Sequence, residues 1–158
     1  MRGHAMSLPA GVEIRSAVPG DAAPCMLIRG MTRQNAVTPE QLAKYGITAQ
    51  TWHDDISAGA LLGYVAVACG SIIGYCYGIR KTGEVAVLAL LPVYEGMGIG
   101  RELLKCTVDH LKNLGHKRLF LGCSSDPASR SYGFYRHLGW KGTGSSDSRG
   151  DEVLELVV

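Results

Sequence analysis

Gly96, Gly98 and Gly100 stand at alternate positions in Tyr94-Glu95-Gly96-Met97-Gly98-Ile99-Gly100-Arg101. Lacking a Cβ, such residues let the backbone approach a ligand closely and take up positive φ. The apolar run Val85, Val87, Leu88, Leu90 and Leu91 comes before them, with Pro92 as its stop, and reads as a strand covered on both faces. Arg101-Glu102-Leu103-Leu104 then opens a helix. A helix start carries unpaired N–H groups and the positive end of the helix dipole. This turn can therefore hold a phosphate or pyrophosphate through backbone donors alone. Hydrogen bonds to a charged group contribute about 1.5–3 kcal/mol each, so a few would dominate the binding of such a ligand. Two common glycine loops do not fit. A P-loop needs Lys and Ser/Thr after its last glycine, and neither is present. A dinucleotide fingerprint needs G-x-G-x-x-G, but its sixth position here is Arg101 or Leu103.

The remaining pattern is x-x-x-G-x-G, with a strand before it and Arg-x-Leu-Leu after it. It resembles the pyrophosphate loop of the GNAT superfamily of acetyl-CoA-dependent N-acetyltransferases. Glu95 stands where that family usually has Gln or Arg. A second segment, Phe134-Tyr135-Arg136-His137-Leu138-Gly139-Trp140, is similar to the family's [F/L]-Y-x-x-x-G-[F/W]. The two motifs occur in the family's order, and the resemblance runs from about Val12 to the end. It implies transfer of an acetyl group from acetyl-CoA to a primary amine of a small molecule or a protein, by direct attack in a ternary complex. Gly96, Met97, Gly98, Ile99, Gly100 and Arg101 would hold the pyrophosphate. Ala89, Leu90 and Leu91 would pair with the pantetheine arm as if it were an extra strand. A non-catalytic acyl-CoA-binding module is the alternative, as is transfer of a longer acyl group past the small residues Ala86 and Ala89.

Amide formation from a thioester needs a neutral amine and a thiolate able to leave. An alkylamine of pKa about 10.4 is neutral in only about one part in 2,500 at pH 7, so a positioned base is useful. The resemblance makes Tyr135 the acid that protonates the CoA sulfur; the other reading is a core aromatic, in register with Tyr132 and Leu138. Glu84 is the expected base. It lies eleven residues before Glu95, the offset of the base glutamate in the family's histone-type branch. The bland reading is a solvated strand-start carboxylate. Alternation puts Glu84 on one strand face with Ala86, Leu88 and Leu90. The branch acting on protein N-termini has Glu twelve and Asn seven residues before the tyrosine, where this chain has Cys123 and Ala128. Asp126 is nearby but out of register. Cys123 reads as a buried thiol, and His110 and His137 as surface or capping residues. Arg101 and Arg136 could meet phosphates. No metal is expected.

These residues need a scaffold. Strands are expected at 12–15, 61–68, 72–80, 84–91, 117–122, 140–143 and 153–157, with turns at Gly70-Ser71 and Thr82-Gly83. Helices are expected from Asp21 to about Met31, after Thr38-Pro39-Glu40-Gln41 (a capping box with proline at N1), after Thr48, over 99–114 and over 129–138. On the long helix Leu103, Leu104, Val108, Leu111 and Leu114 form one stripe. The strand–helix–strand unit over 84–122 makes its two strands parallel neighbours. The fold class is thus α/β (α+β): a mixed sheet of six to seven strands, an antiparallel N-terminal meander and flanking helices. By resemblance, the parallel pair splays around the acyl-donor cleft, and the early helices wall the acceptor pocket.

The 158 residues suit a single domain, 1–158, in which 1–6 (Met1-Arg2-Gly3-His4-Ala5-Met6) reads as an added leader or disordered. A net charge of +2 is too small to argue for nucleic acid or an anionic membrane. No apolar stretch approaches the roughly 20 residues of a bilayer span. Five scattered cysteines without C-x-x-C read as reduced thiols of a cytoplasmic protein. Arg149-Gly150-Asp151, inside the polar run 144–150, reads as a chance tripeptide. The resemblance allows a homodimer, with the apolar last strand able to pair across a two-fold.

Overall fold

The computed structural model describes residues 8–33 and 36–158; the hexapeptide Met1–Met6 lies outside them. The elements follow in the order β1 (Val12–Ser16), α1 (Ala22–Arg29), α2 (Pro39–Ala43), α3 (Ala49–Ser57), β2 (Leu61–Ala68), β3 (Ser71–Ile79), β4 (Val85–Leu90), α4 (Ile99–Asn113), β5 (Arg118–Cys123), α5 (Arg130–His137), β6 (Lys141–Ser146) and β7 (Glu152–Val157). The early helices begin where their caps direct. The Thr38 hydroxyl accepts from Gln41 N–H at 3.2 Å, and Gln41 Oε1 accepts from Thr38 N–H at 2.8 Å. Thr48 accepts from Thr51 N–H at 3.1 Å. Asp21 differs from expectation. Its carboxylate bonds Arg15 and the Val18 N–H, bracing the turn before α1 rather than capping the helix.

The strands form two hydrogen-bonded groups. One is the antiparallel meander β1-β2-β3-β4, and the other is ordered β5-β7-β6. A single parallel bridge, Glu84 to Phe120, joins them. α4 packs on one face of the meander, while α1 and α3 pack on the other. Under α4 lies a core of Ile99, Leu103, Leu104, Leu111, Leu119, Leu121, Trp140 and Leu154. Its stripe stops short of Leu114, which is 42% exposed. Thr107 lies inside that core, its hydroxyl donating to the Leu103 and Cys76 carbonyls. Gly78 allows this close packing, since a Cβ there would sit 3.0 Å from Thr107 and Leu111 side-chain atoms. The second core, under α1 and α3, holds Cys25, Met26, Ile28, Trp52, Tyr75 and Tyr77.

β7 lies between β5 and β6, so both its edges are hydrogen-bonded. Pairing through the last strand across a two-fold is therefore blocked, and the open edge of that sheet belongs to β6. No helix among the described residues is long and apolar enough to cross a membrane.

Candidate active site

The single bridge between the sheets shapes the site. At Glu84 and Phe120 the two strands touch, and Phe120 N–H donates to the Gly83 carbonyl at 3.3 Å. Beyond that point a cavity of about 910 Å³ lies between them, lined by Leu88 and Leu90 of β4, Leu121 and Cys123 of β5, and Tyr135 of α5. The other edge of β4 is taken by β3. Leu91 N–H bonds the Ile73 carbonyl at 2.9 Å, and Ala89 lies opposite Tyr75 in the same register. Antiparallel hydrogen bonding alternates, so it is Leu88 and Leu90 whose backbone groups face the open edge. Of the three expected positions, Leu90 fits, Ala89 lines the cavity with its backbone turned to β3, and Leu91 lies outside it. The Leu91 carbonyl also accepts from Tyr94 N–H.

The glycine turn closes one end of this cavity. Gly96 has φ +78° and Gly98, the N-cap of α4, has φ +84°, both in the left-handed region open to glycine. The first bond of the helix runs from Glu102 N–H to the Gly98 carbonyl at 3.1 Å. Ile99, Gly100 and Arg101 precede it, so their N–H groups are those that a helix start leaves for an outside acceptor. Gly96, Gly98, Ile99, Gly100 and Arg101 line the cavity, whereas Met97 is 44% exposed at the apex and does not. Glu95 binds Arg33 at 2.6 Å, with Arg130 at 3.6 Å, which gathers two cations beside the turn.

Glu84 does not share a face with Ala86, Leu88 and Leu90. A register shift opposite Tyr77 and Gly78 adds one residue to β4 and reverses the alternation beyond it. Val85 joins Leu88 in the core under α4, while Val87 and Ala89 join the core under α1 and α3. Glu84 turns the same way and lines a second chamber, of about 1070 Å³, with Leu42, Trp52, Leu61 and Tyr77. Burial pushes its carboxyl above the usual carboxylate range; Arg149 opposes this and Asp147 adds to it. The chambers share Arg29, Ala36, Val37, Ala86, Val87 and Arg149 in their linings, so they adjoin at this neck.

Tyr135 is 9% exposed and packs edge-on against Phe134 and Trp140, with centroids 5.1 and 6.1 Å away. Burial drives its phenol strongly upward, as do Cys76 and Cys123, while Arg29 acts in the opposite direction. The phenol is thus protonated at neutral pH.

Other candidates have structural partners. Asp126 accepts the Ala128 N–H at 2.9 Å within the turn before α5. Arg136 pairs with Glu152 at 2.6 Å and lies 3.7 Å over the Tyr132 ring, away from the cavity. His110 contacts the Tyr64 hydroxyl at 3.1 Å, and His137 lines the first chamber. Cys123 lines it too, but burial raises its thiol pKa and so disfavours the thiolate. The sequence reading missed Arg29 and Arg149. Arg29 ends an otherwise apolar helix, which was the available signal. Arg149 reaches the site only because the β6–β7 loop folds back, with the Asp147 carboxylate accepting the Arg149 and Asp151 N–H groups at 2.9 and 3.0 Å.

The family model described as "Acetyltransferase (GNAT) family" matches residues 31–140. No curated protein sequence matches the chain significantly. Among solved structures, the chain resembles the PaiA N-acetyltransferase of Thermoplasma acidophilum in complex with coenzyme A, at TM-score 0.78 and 20% identity over 93% of this chain and 99% of that one. It also resembles an N-acetyltransferase from Staphylococcus aureus Mu50, at TM-score 0.74 and 17% identity over 94% and 99%. A third likeness is to the ribosomal-protein-S18-alanine N-acetyltransferase of Escherichia coli, at TM-score 0.67 and 18% identity over 93% and 94%. At these identities the likeness concerns the fold.

Proposed function

The chain belongs to the GNAT acetyltransferase family, and from that premise we propose that it moves the acetyl group of acetyl-CoA to a primary amine by direct attack within a ternary complex. The observation that carries this reading is the pair of adjoining chambers. The first chamber has the α4 start and the open β4 edge, and the second holds Glu84. Acetyl-CoA is the acyl donor. Its diphosphate suits the N–H groups of Ile99, Gly100 and Arg101 at the positive end of α4, and its pantetheine amides suit the open backbone groups of Leu88 and Leu90. Gly96 and Gly98 keep that turn free of side chains.

In the second chamber Glu84 accepts a proton from the ammonium form of the acceptor. Its raised pKa brings it closer to the operating pH and makes it a better-matched base than a solvated carboxylate. The neutral amine attacks the thioester carbonyl, the carbon–sulfur bond breaks, and Tyr135 donates its proton to the departing sulfur. Arg29, whose charge favours the phenolate, eases that transfer. The second chamber and Glu84 support catalysis over a module that only holds acyl-CoA.

Calorimetry with acetyl-CoA followed by thiol-release assays on an amine panel tests this. Uptake of acetyl-CoA and amine-dependent thiol release are expected. No uptake, or uptake with the turn at Gly96 to Arg101 left unprotected in hydrogen exchange, would overturn it.

A further inference from the structure

The neck between the chambers carries more charge than acetyl transfer to a simple amine needs. Two arginines line both chambers there: Arg29 at the end of α1, and Arg149 from the β6–β7 loop. The Arg149 guanidinium makes no ion pair or hydrogen bond within the described residues. Its loop is pinned because the Asp147 carboxylate accepts two backbone N–H groups of that loop. Arg29 is half-buried, and burial, with Arg149 beside it, weakens its hold on its proton. Two like charges close together repel each other and favour an anion between them, although Asp151 also acts on Arg29, and Glu84 and Asp147 line the second chamber.

We propose that the acceptor is an α-amino carboxylate, whose carboxylate sits between Arg29 and Arg149 at the neck while its side chain lies against Trp52 and Tyr77. This rests on the acetyl-transfer reading and deepens it. With the acyl donor in the first chamber and the acceptor in the second, the reacting nitrogen lies at their shared wall, and the group one carbon behind it lies close to Arg29 and Arg149. In an α-amino acid that group is the carboxylate. In a polyamine or a protein lysine it is a methylene, and the next charge is remote and positive. Planar guanidiniums are suited to a carboxylate through paired N–H donors. Beyond the neck, Gln41, Lys44, Glu84 and Asp147 share the lining of the second chamber with an apolar wall. Leu42, Ile47 and Leu61 line it, and Trp52 packs edge-on against Tyr75 and Tyr77 at 5.9 and 5.5 Å. That wall suits a hydrophobic side chain. Glu84, in the lining of the second chamber, takes the ammonium proton.

The test compares matched acceptors on the purified protein at saturating acetyl-CoA: each standard L-amino acid, its amide and its decarboxylated amine, read by thiol release. For at least one apolar amino acid, kcat/KM should exceed that of its decarboxylated amine by about 10- to 100-fold. The amide is the stringent control, because its amine is less basic and would react faster were the carboxylate irrelevant. In R149Q the preference for the acid over the decarboxylated amine should collapse toward one through a rise in acceptor KM, with acetyl-CoA affinity by calorimetry retained. Equal or faster transfer to the amides and amines, or no transfer to any amino acid while acetyl-CoA binds, overturns this proposal alone. Failure to bind acetyl-CoA at all overturns the acetyl-transfer reading instead.

Discussion

Tyr135 and Glu84 are both shifted upward by burial, with opposite consequences for their proposed tasks. The shift leaves the Glu84 carboxylate readier to take a proton, but it makes the Tyr135 phenol hold its proton more tightly, which Arg29 counteracts. Replacing Tyr135 with Phe keeps the ring packing, so acetyl-CoA affinity should persist while kcat falls about 100-fold or more. Unchanged turnover would remove the phenol from the mechanism. For Glu84→Gln the rate loss should be largest at neutral pH and shrink as pH rises, since free neutral amine then becomes abundant; a flat ratio of variant to parent rates excludes the base role. The same carboxyl makes a stability prediction of definite sign. Its pKa is higher in the fold than in the unfolded chain, so ionisation disfavours the fold. Stability from this group is retained below about pH 4.3, the unfolded value, and lost as pH rises through the higher folded value. Glu84→Gln should therefore be more stable than the parent at neutral pH and no more stable at pH 4. The gain at neutral pH and its absence in acid are both read by chemical denaturation.

At the scale of elements, local signals were legible and register was not. The capping box at Thr38, the cap at Thr48, the glycine turn and the tyrosine helix each lie within one short stretch, and each fell where its residues direct. The facing of Glu84 depended on an extra residue in β4 opposite Tyr77 and Gly78, a property of two strands together that alternation along one strand cannot contain. Arg149 was hidden for a similar reason, since its place depends on a loop folding back over β5. That packing is close: a Cβ at Gly122 of β5 would collide with the Asp147 carboxylate. Gly122→Ala should displace residues 147–151 and raise the acceptor KM about tenfold or more, with acetyl-CoA affinity little changed. Loss of both together would assign the loop to the donor side. Gly98→Ala acts in reverse. A left-handed alanine costs about 1–2 kcal/mol, so acetyl-CoA binding should weaken about tenfold, with acceptor KM little altered when read at saturating donor. Calorimetry and steady-state kinetics separate the two variants.

Across the whole molecule, the order of elements was readable because each strand and helix announces itself. The splay of the parallel pair was implied only by the resemblance, and its extent, a single bridge at Glu84 and Phe120, was not readable, because it arises from where β4 and β5 stop touching. That splay exposes the Leu88 and Leu90 backbone to the cleft. Hydrogen exchange should show these amides slowed by acetyl-CoA, while Ala89, already bonded to β3, changes little; uniform protection along β4 would contradict the register. A donor present at a hundred times its Kd should also stabilise the fold by about 2.7 kcal/mol, seen as a raised thermal midpoint. In turnover the same open edge sets a rhythm. Under the proposed pairing, departing CoA gives up its backbone bonds to β4, and slow departure is read as an initial burst of acetylated product, up to one equivalent per site, before the steady rate sets in.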